Sequence, residues 1–343
     1  MTTEDSRNTV LIPTNEYQTP ITKELLDQYP DEVREQFLDF IDTVPLLKYM
    51  VGARPRAKDL PRDSKGRIVV DITHPHILEG MDYFRPAAKF YEENGCYSLL
   101  KPNSNPNSEY GKWFREEVRR CREGYVRESD GEWVTGMLYY FLNYNPIMLN
   151  RKAPGSDIYV RVEDFPDFWE GIYYRFHYID QARHSGKHGM ELARRGASKS
   201  FSLASIMSHN LILGENEIAR NRVTTILTAY TKEYLSDKDG TLSKFTPMVD
   251  FCAAHTEFPR LMLKRSPSEM LWRMGYKNSN GNESGSLNSV MGLSVKDDEG
   301  KIRGKRGYIL FEEMGNFPKF KEVWNNVRDS VKEGSHVFSL LFA

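Results

Sequence analysis

Apolar residues recur three and four apart at Phe37, Phe40, Ile41, Val44 and Leu47 behind Asp31, a capping residue type. This spacing predicts helices over 21–29 and 31–49, after Pro20. Residues 108–122 repeat the pattern, with Phe114, Val118 and Cys121 on one stripe and Arg115, Arg119 and Arg122 on the next; the bland reading of the arginines is a solvated face. The run 133–144 is too aromatic to be exposed throughout, so it is read as core or an interdomain face, with a base-stacking platform as the other possibility. From Asp164 the pattern changes to alternation: an aromatic helix over 165–182, a short strand from Gly189, a helix over 198–213, a Val/Thr/Ile-rich strand over 222–230, and mostly helix over 231–254. Strand and helix in this order predict a parallel sheet. The stretch 260–306 breaks the alternation and is expected to insert a ribbon, with a loop over 277–286 and a strand over 287–295.

Two segments carry candidate chemistry. Residues 189–200 read as a strand running into a loop that opens a helix: Gly189 to Leu192, then Ala193, Arg194, Arg195, Gly196, Ala197, Ser198, Lys199 and Ser200. Backbone N–H donors, a helix N-terminus, one reaching ammonium and a hydroxyl for Mg²⁺ are what a triphosphate needs. The usual phosphate loop has Gly at its first position and directly before the Lys; this chain has Ala193 and Ser198 there, so an ordinary turn with a surface Lys stays open for the loop alone. Far downstream, Tyr308 to Phe311 is an apolar strand ending in Glu312 and Glu313. Such a run suits a central strand whose C-terminal end meets a ligand, with Glu312 helping to hold hydrated Mg²⁺ and Glu313 polarising the attacking water. The basic run Lys301, Arg303, Lys305 and Arg306 leads into this strand and is expected beside the active edge, where it meets phosphate, DNA or a neighbouring subunit, or is a plain solvated turn.

Composition narrows the class. The chain has 343 residues, 39% of them hydrophobic, and a mean hydropathy of -0.60, enough for one large domain or two modest ones. Cys96, Cys121 and Cys252 stand far apart and suit a reducing cytosol better than a zinc cluster or a disulfide framework. With no long apolar run and no leader pattern, neither membrane contact nor secretion is expected. The net charge of -1 neither requires nor excludes a nucleic-acid partner. Residues 1–20 read as a loose polar arm, and 53–65, with Arg54, Arg56, Lys58, Arg62 and Lys65, as a basic connector.

Taken together, the Ala-Arg-Arg-x-x-x-Lys-Ser loop, the Arg-Gly-Lys-Arg lead and the Ile-Leu-Phe-Glu-Glu-Met-Gly strand end resemble the large terminase subunit of tailed bacteriophages, over about residues 130–343. The resemblance implies an α/β fold: a P-loop (RecA-like/ASCE), mostly parallel sheet flanked by helices, over 161–343, with a helical N-terminal accessory region over 21–160. It implies an ATP hydrolase that uses ATP and Mg²⁺ to translocate double-stranded DNA into a procapsid. The partners implied are the portal protein and the small terminase subunit, in a homo-oligomeric ring, acting in the host cytoplasm and transiently at the portal. Residue by residue, Lys199 matches the phosphate-binding lysine, Ser200 the Mg²⁺ hydroxyl, and Arg195, with Arg194 beside it, the arginine placed to reach the γ-phosphate. Glu313 matches the catalytic carboxylate, and Glu312 stands where most relatives have Asp. Residues 335–343 look like the strand after the diacid; the coupling motif and nuclease of the family do not follow, so a fragment without DNA cleavage is expected. A helicase-like motor and a nucleotide-binding scaffold remain alternatives.

Overall fold

The computed structural model describes residues 84–126, 133–184, 188–191, 193, 196–214, 222–296, 298–333 and 339–342. The arm, the helices expected over 21–49 and the basic connector lie outside the described residues. Helix α1 (Pro86–Asn94) ends on Gly95 in a left-handed conformation, and α2 (Glu109–Glu123) starts where the Ser108 hydroxyl accepts a hydrogen bond from the Gly111 N–H at 3.0 Å. A two-stranded ribbon, β1 (Tyr125–Val126) with β2 (Trp133–Val134), leads to α3 (Gly136–Tyr144), capped by Thr135. All nine residues of α3 are buried, so the aromatic run is core. Its Tyr139 and Tyr144 hydroxyls both donate to Glu117 of α2, whose carboxyl burial pushes above the usual range.

A six-residue antiparallel ribbon follows, β3 (Ile147–Lys152) with β4 (Tyr159–Asp164), in register from Ile147 opposite Asp164 to Lys152 opposite Tyr159. Nothing in the chain's apolar periodicity predicts it, because its strands are exposed along most of their length. The alternating part then begins with α4 (Glu170–His184), β5 (Gly189–Glu191), α5 (Lys199–Ile212), β6 (Thr224–Ala229), the short α6 (Glu233–Ser236) and α7 (Thr241–His255). A hairpin of β7 (Met262–Ser266) and β8 (Leu271–Met274), a small ribbon of β9 (Tyr276–Lys277) and β10 (Glu283–Ser284), β11 (Ser289–Ser294), β12 (Tyr308–Phe311), α8 (Phe320–Glu333) and β13 (Ser339–Phe342) complete the described chain.

Seven strands form one sheet in the order β5-β13-β12-β6-β11-β8-β7. The five from β5 to β11 are parallel, and the β7–β8 hairpin extends the sheet antiparallel. This is the mixed α/β, mostly parallel arrangement expected from the alternation. The central strands are buried on both faces, with side chains alternating between them: Leu227 and Leu310 face a core shared with α3, α4, α5 and α7, while Ile226, Ile309 and Phe311 face one shared with α8 and a 3₁₀ turn at Glu299–Ile302. The first of these cores runs without a break from Phe84 to Leu310. Ties across it include the Arg122 guanidinium donating to Leu213 O (2.8 Å) and the His209 ring bonded to Cys121 O (2.7 Å), which fasten α2 to α5 and its C-cap.

Lys305 and Arg306, which close the basic run before β12, are not beside the edge that carries the two carboxylates. Gly307 (φ 133°) approaches the backbone of Thr224, the first residue of β6, so Lys305 and Arg306 stand at the N-terminal ends of the strands. Glu312 and Glu313 stand at the other end. The physical reason is chain direction: in a parallel sheet the residues leading into a strand and those leaving it occupy opposite edges.

Candidate nucleotide site

At the C-terminal edge, the β5–α5 loop and the end of β12 meet. The Ser200 hydroxyl donates to Glu312 Oε1 at 2.9 Å, across 112 residues of sequence. Lys199 Nζ donates to the Ala193 carbonyl at 2.8 Å and lies 3.8 Å from Glu313 Oε1. The ammonium therefore already spans the loop from its start to the second carboxylate. Leu192, Arg194 and Arg195 lie outside the described residues.

Local conformation explains the loop's shape. Gly196 (φ 81°) and Ser198 (φ 57°, ψ 23°) are both left-handed, which turns the chain sharply before the helix. Ser198, standing where the usual loop has Gly, thus occupies a conformation that Gly adopts without strain. The Ser198 side chain makes no capping hydrogen bond at the start of α5. Glu313 is left-handed as well (φ 49°), a bulky residue held in a strained turn directly after the strand.

Glu312 is only 3% exposed, and its N–H is fastened to Thr228 O at 2.9 Å. One carboxylate oxygen takes the Ser200 hydroxyl; the other, Oε2, is buried with no hydrogen-bond partner. Burial raises the pKa of this carboxyl, while the Ser200 hydroxyl, the nearby Thr241 hydroxyl and the Lys244 ammonium favour its charged form. Thr241 Oγ1 is close enough to act on the carboxylate yet lies out of bonding geometry, so it too is buried without a partner. An orphaned anionic oxygen beside a serine hydroxyl fits a hard divalent cation such as Mg²⁺.

Lys244 sits on the first turn of α7, which packs along α5, and donates to Asp239 O at 2.8 Å with its ammonium 5.3 Å from the Phe201 ring centroid. Burial lowers its pKa, against the pull of Glu312 and Asp239. Arg175 of α4 is the second cation at the loop, its side chain 1% exposed and paired with Glu191 at 2.7 Å. Sequence reading picks out neither: both fall inside helical patterns, with no loop motif around them to set them apart.

No protein-family model and no curated protein matches the sequence. Solved structures do. The chain is similar to phage large terminases. The ATPase domain of the Thermus phage P74-26 large terminase shares 14% identity at a TM-score of 0.32, covering 48% of this chain and 64% of that one. A mutant of that domain gives the same identity and coverage at 0.33. The HK97 bacteriophage large terminase shares 10% identity at a TM-score of 0.34, covering 53% of this chain. This chain spans just under two thirds of the first of these proteins and 34% of HK97 large terminase.

Proposed function

We propose that this chain is the ATPase motor part of a viral DNA-packaging terminase, with a RecA-like core over 161–343 that follows an accessory region over 21–160. The observation that carries the reading is the Ser200–Glu312 bond, with Lys199 reaching towards Glu313, at the C-terminal edge of a parallel sheet. That edge is where open α/β sheets bind ligands, and a helix N-terminus without a cap is an anion site.

In this reading the N–H groups at the start of α5 and the Lys199 ammonium hold the phosphates of ATP. Ser200 and Glu312 hold Mg²⁺, which when bound neutralises charge on the phosphate oxygens. Glu313 orients the attacking water and takes its proton, and its exposure of 36% leaves it open to that water. Arg195, or Arg194 beside it, offsets charge developing on the transferred phosphoryl group. The work is translocation of double-stranded DNA into a procapsid, by a ring of copies with the portal protein and small terminase subunit as partners, in the host cytoplasm and transiently at the portal. No helix among the described residues is long and apolar enough to cross a membrane.

Calorimetric titration with Mg-ATP, together with phosphate release, tests the site. Lys199→Ala is expected to weaken ATP binding at least tenfold, about 1.4 kcal/mol, through loss of the ammonium. Unchanged affinity overturns the assignment. Unwinding of a tailed duplex by the pure chain would favour a helicase over a packaging motor.

A further inference from the structure

Among the described residues the Arg175 guanidinium makes four hydrogen bonds, which tie together the end of β5, the loop at Ala197 and the first turn of α5. Nε and Nη2 donate to the two carboxylate oxygens of Glu191, both at 2.7 Å, at the end of β5. Nη2 also donates to the Ala197 carbonyl at 2.8 Å, inside the loop. Nη1 donates to the Ser202 hydroxyl at 2.8 Å, in the first turn of α5. Ser202 passes the restraint on, its hydroxyl donating to the Ser198 carbonyl at 3.0 Å while its N–H donates to the same oxygen at 2.9 Å.

Peptide planarity turns these bonds into a statement about donors. In a trans peptide the C=O of one residue and the N–H of the next point in opposite directions. Drawing the Ala197 and Ser198 carbonyls towards Arg175 and Ser202 therefore aims the N–H groups of Ser198 and Lys199 away from them. We infer that Arg175 is a positioning residue that, through Ala197 O and the Ser202 hydroxyl, orients the Ser198 and Lys199 amides for phosphate. This rests on the nucleotide-site reading above. It also assigns a role to Ser202, which would otherwise be a buried helix hydroxyl. The planar, forked guanidinium matters here: a lysine offers a point charge that cannot serve the carboxylate, the carbonyl and the hydroxyl in one plane.

The test uses the whole chain with Mg-ADP and Mg-ATP. Arg175→Lys keeps a cation against Glu191 but loses the fork. It is expected to raise the ADP dissociation constant and the KM for ATP at least tenfold with kcat within about threefold, because amide contacts to phosphate act on the ground and transition states alike. Hydrogen exchange gives the second readout: ADP protects the Ser198 and Lys199 amides in the parent chain, and this protection is lost in Arg175→Lys. Ser202→Ala, which leaves the Arg175–Glu191 pair in place, is expected to weaken ADP binding about threefold or more with the fold intact, and decides the matter if Arg175→Lys does not fold. ADP affinity and amide protection unchanged in both variants overturn the inference. Where the parent chain binds ADP and Lys199→Ala does not, unchanged behaviour of Arg175→Lys and Ser202→Ala overturns this inference and leaves the site reading standing. If the parent chain binds no nucleotide, the site reading itself fails.

Discussion

Glu312 buries one carboxylate oxygen without a hydrogen-bond partner, and replacing it by Gln measures what that costs the fold. Burial raises the pKa of the carboxyl. A folded-state pKa above the unfolded one means the native chain holds the proton more tightly. The stability it contributes is full below the unfolded pKa and lost as pH rises through the folded one. Above the folded pKa the native chain buries a charged carboxylate with one oxygen lacking a hydrogen-bond partner. Gln keeps an oxygen for the Ser200 hydroxyl and turns an amide towards the Thr241 hydroxyl, which itself has no partner. Removing an unsatisfied buried acceptor is worth about 1–3 kcal/mol. On a chain of this size that is a Tm rise of roughly 1–4 °C. Differential scanning calorimetry in EDTA reads it directly. At about pH 8 Glu312→Gln is expected to melt above the parent, and at about pH 4 the difference should vanish as Glu312 takes up its proton. Mg-ATP at 1,000 times its Kd should reverse the order, since it adds about 4.1 kcal/mol to the protein that binds it. A Glu312→Gln chain that melts below the parent in EDTA at the higher pH would refute the reasoning.

Two further substitutions separate roles within the site. Glu313→Gln is expected to leave Mg-ATP affinity within a few-fold while lowering kcat by about 10²–10⁴, the range for loss of a general base; an equal loss of binding would make Glu313 a ligand contact instead. Ser198→Gly removes a left-handed serine (φ 57°), and the relief of about 1–2 kcal/mol, less the entropy Gly loses on folding, leaves a net gain of about 0.5–1 kcal/mol. A shift of the urea midpoint to higher concentration checks it, and a lower midpoint would mean the serine side chain is required there.

Local chemistry made some features legible. Tyr308 to Phe311 is apolar at every position because β12 is buried on both faces, and a pair of acids after such a strand has nowhere to stand but its end. Helix α2 follows from its apolar stripe, and the aromatic run of α3 from the cost of exposing it. The β3–β4 ribbon left no apolar signature, since its strands lie mostly exposed. Residues 133–144 are core, as their aromatic content requires, and α3 shares one continuous core with the sheet; an apolar surface specifies burial, not the neighbour that provides it. Lys305 and Arg306 stand near the carboxylates in sequence but not in space, because a parallel strand carries its two ends to opposite edges.

The sequence by itself determined the chemical inventory: a loop with Lys199 and Ser200 before a helix, a strand closed by Glu312 and Glu313, and an alternation that calls for a parallel sheet. These follow from interactions between near neighbours, which composition and spacing encode. Tertiary structure alone decided that β13, last in the chain, lies between the loop strand β5 and the acid strand β12. It alone set Ser200 within a hydrogen bond of Glu312, and brought Arg175 under the loop. Those outcomes depend on strand order and helix packing over long separations, where many pairings satisfy the same local pattern and only the closed core selects one.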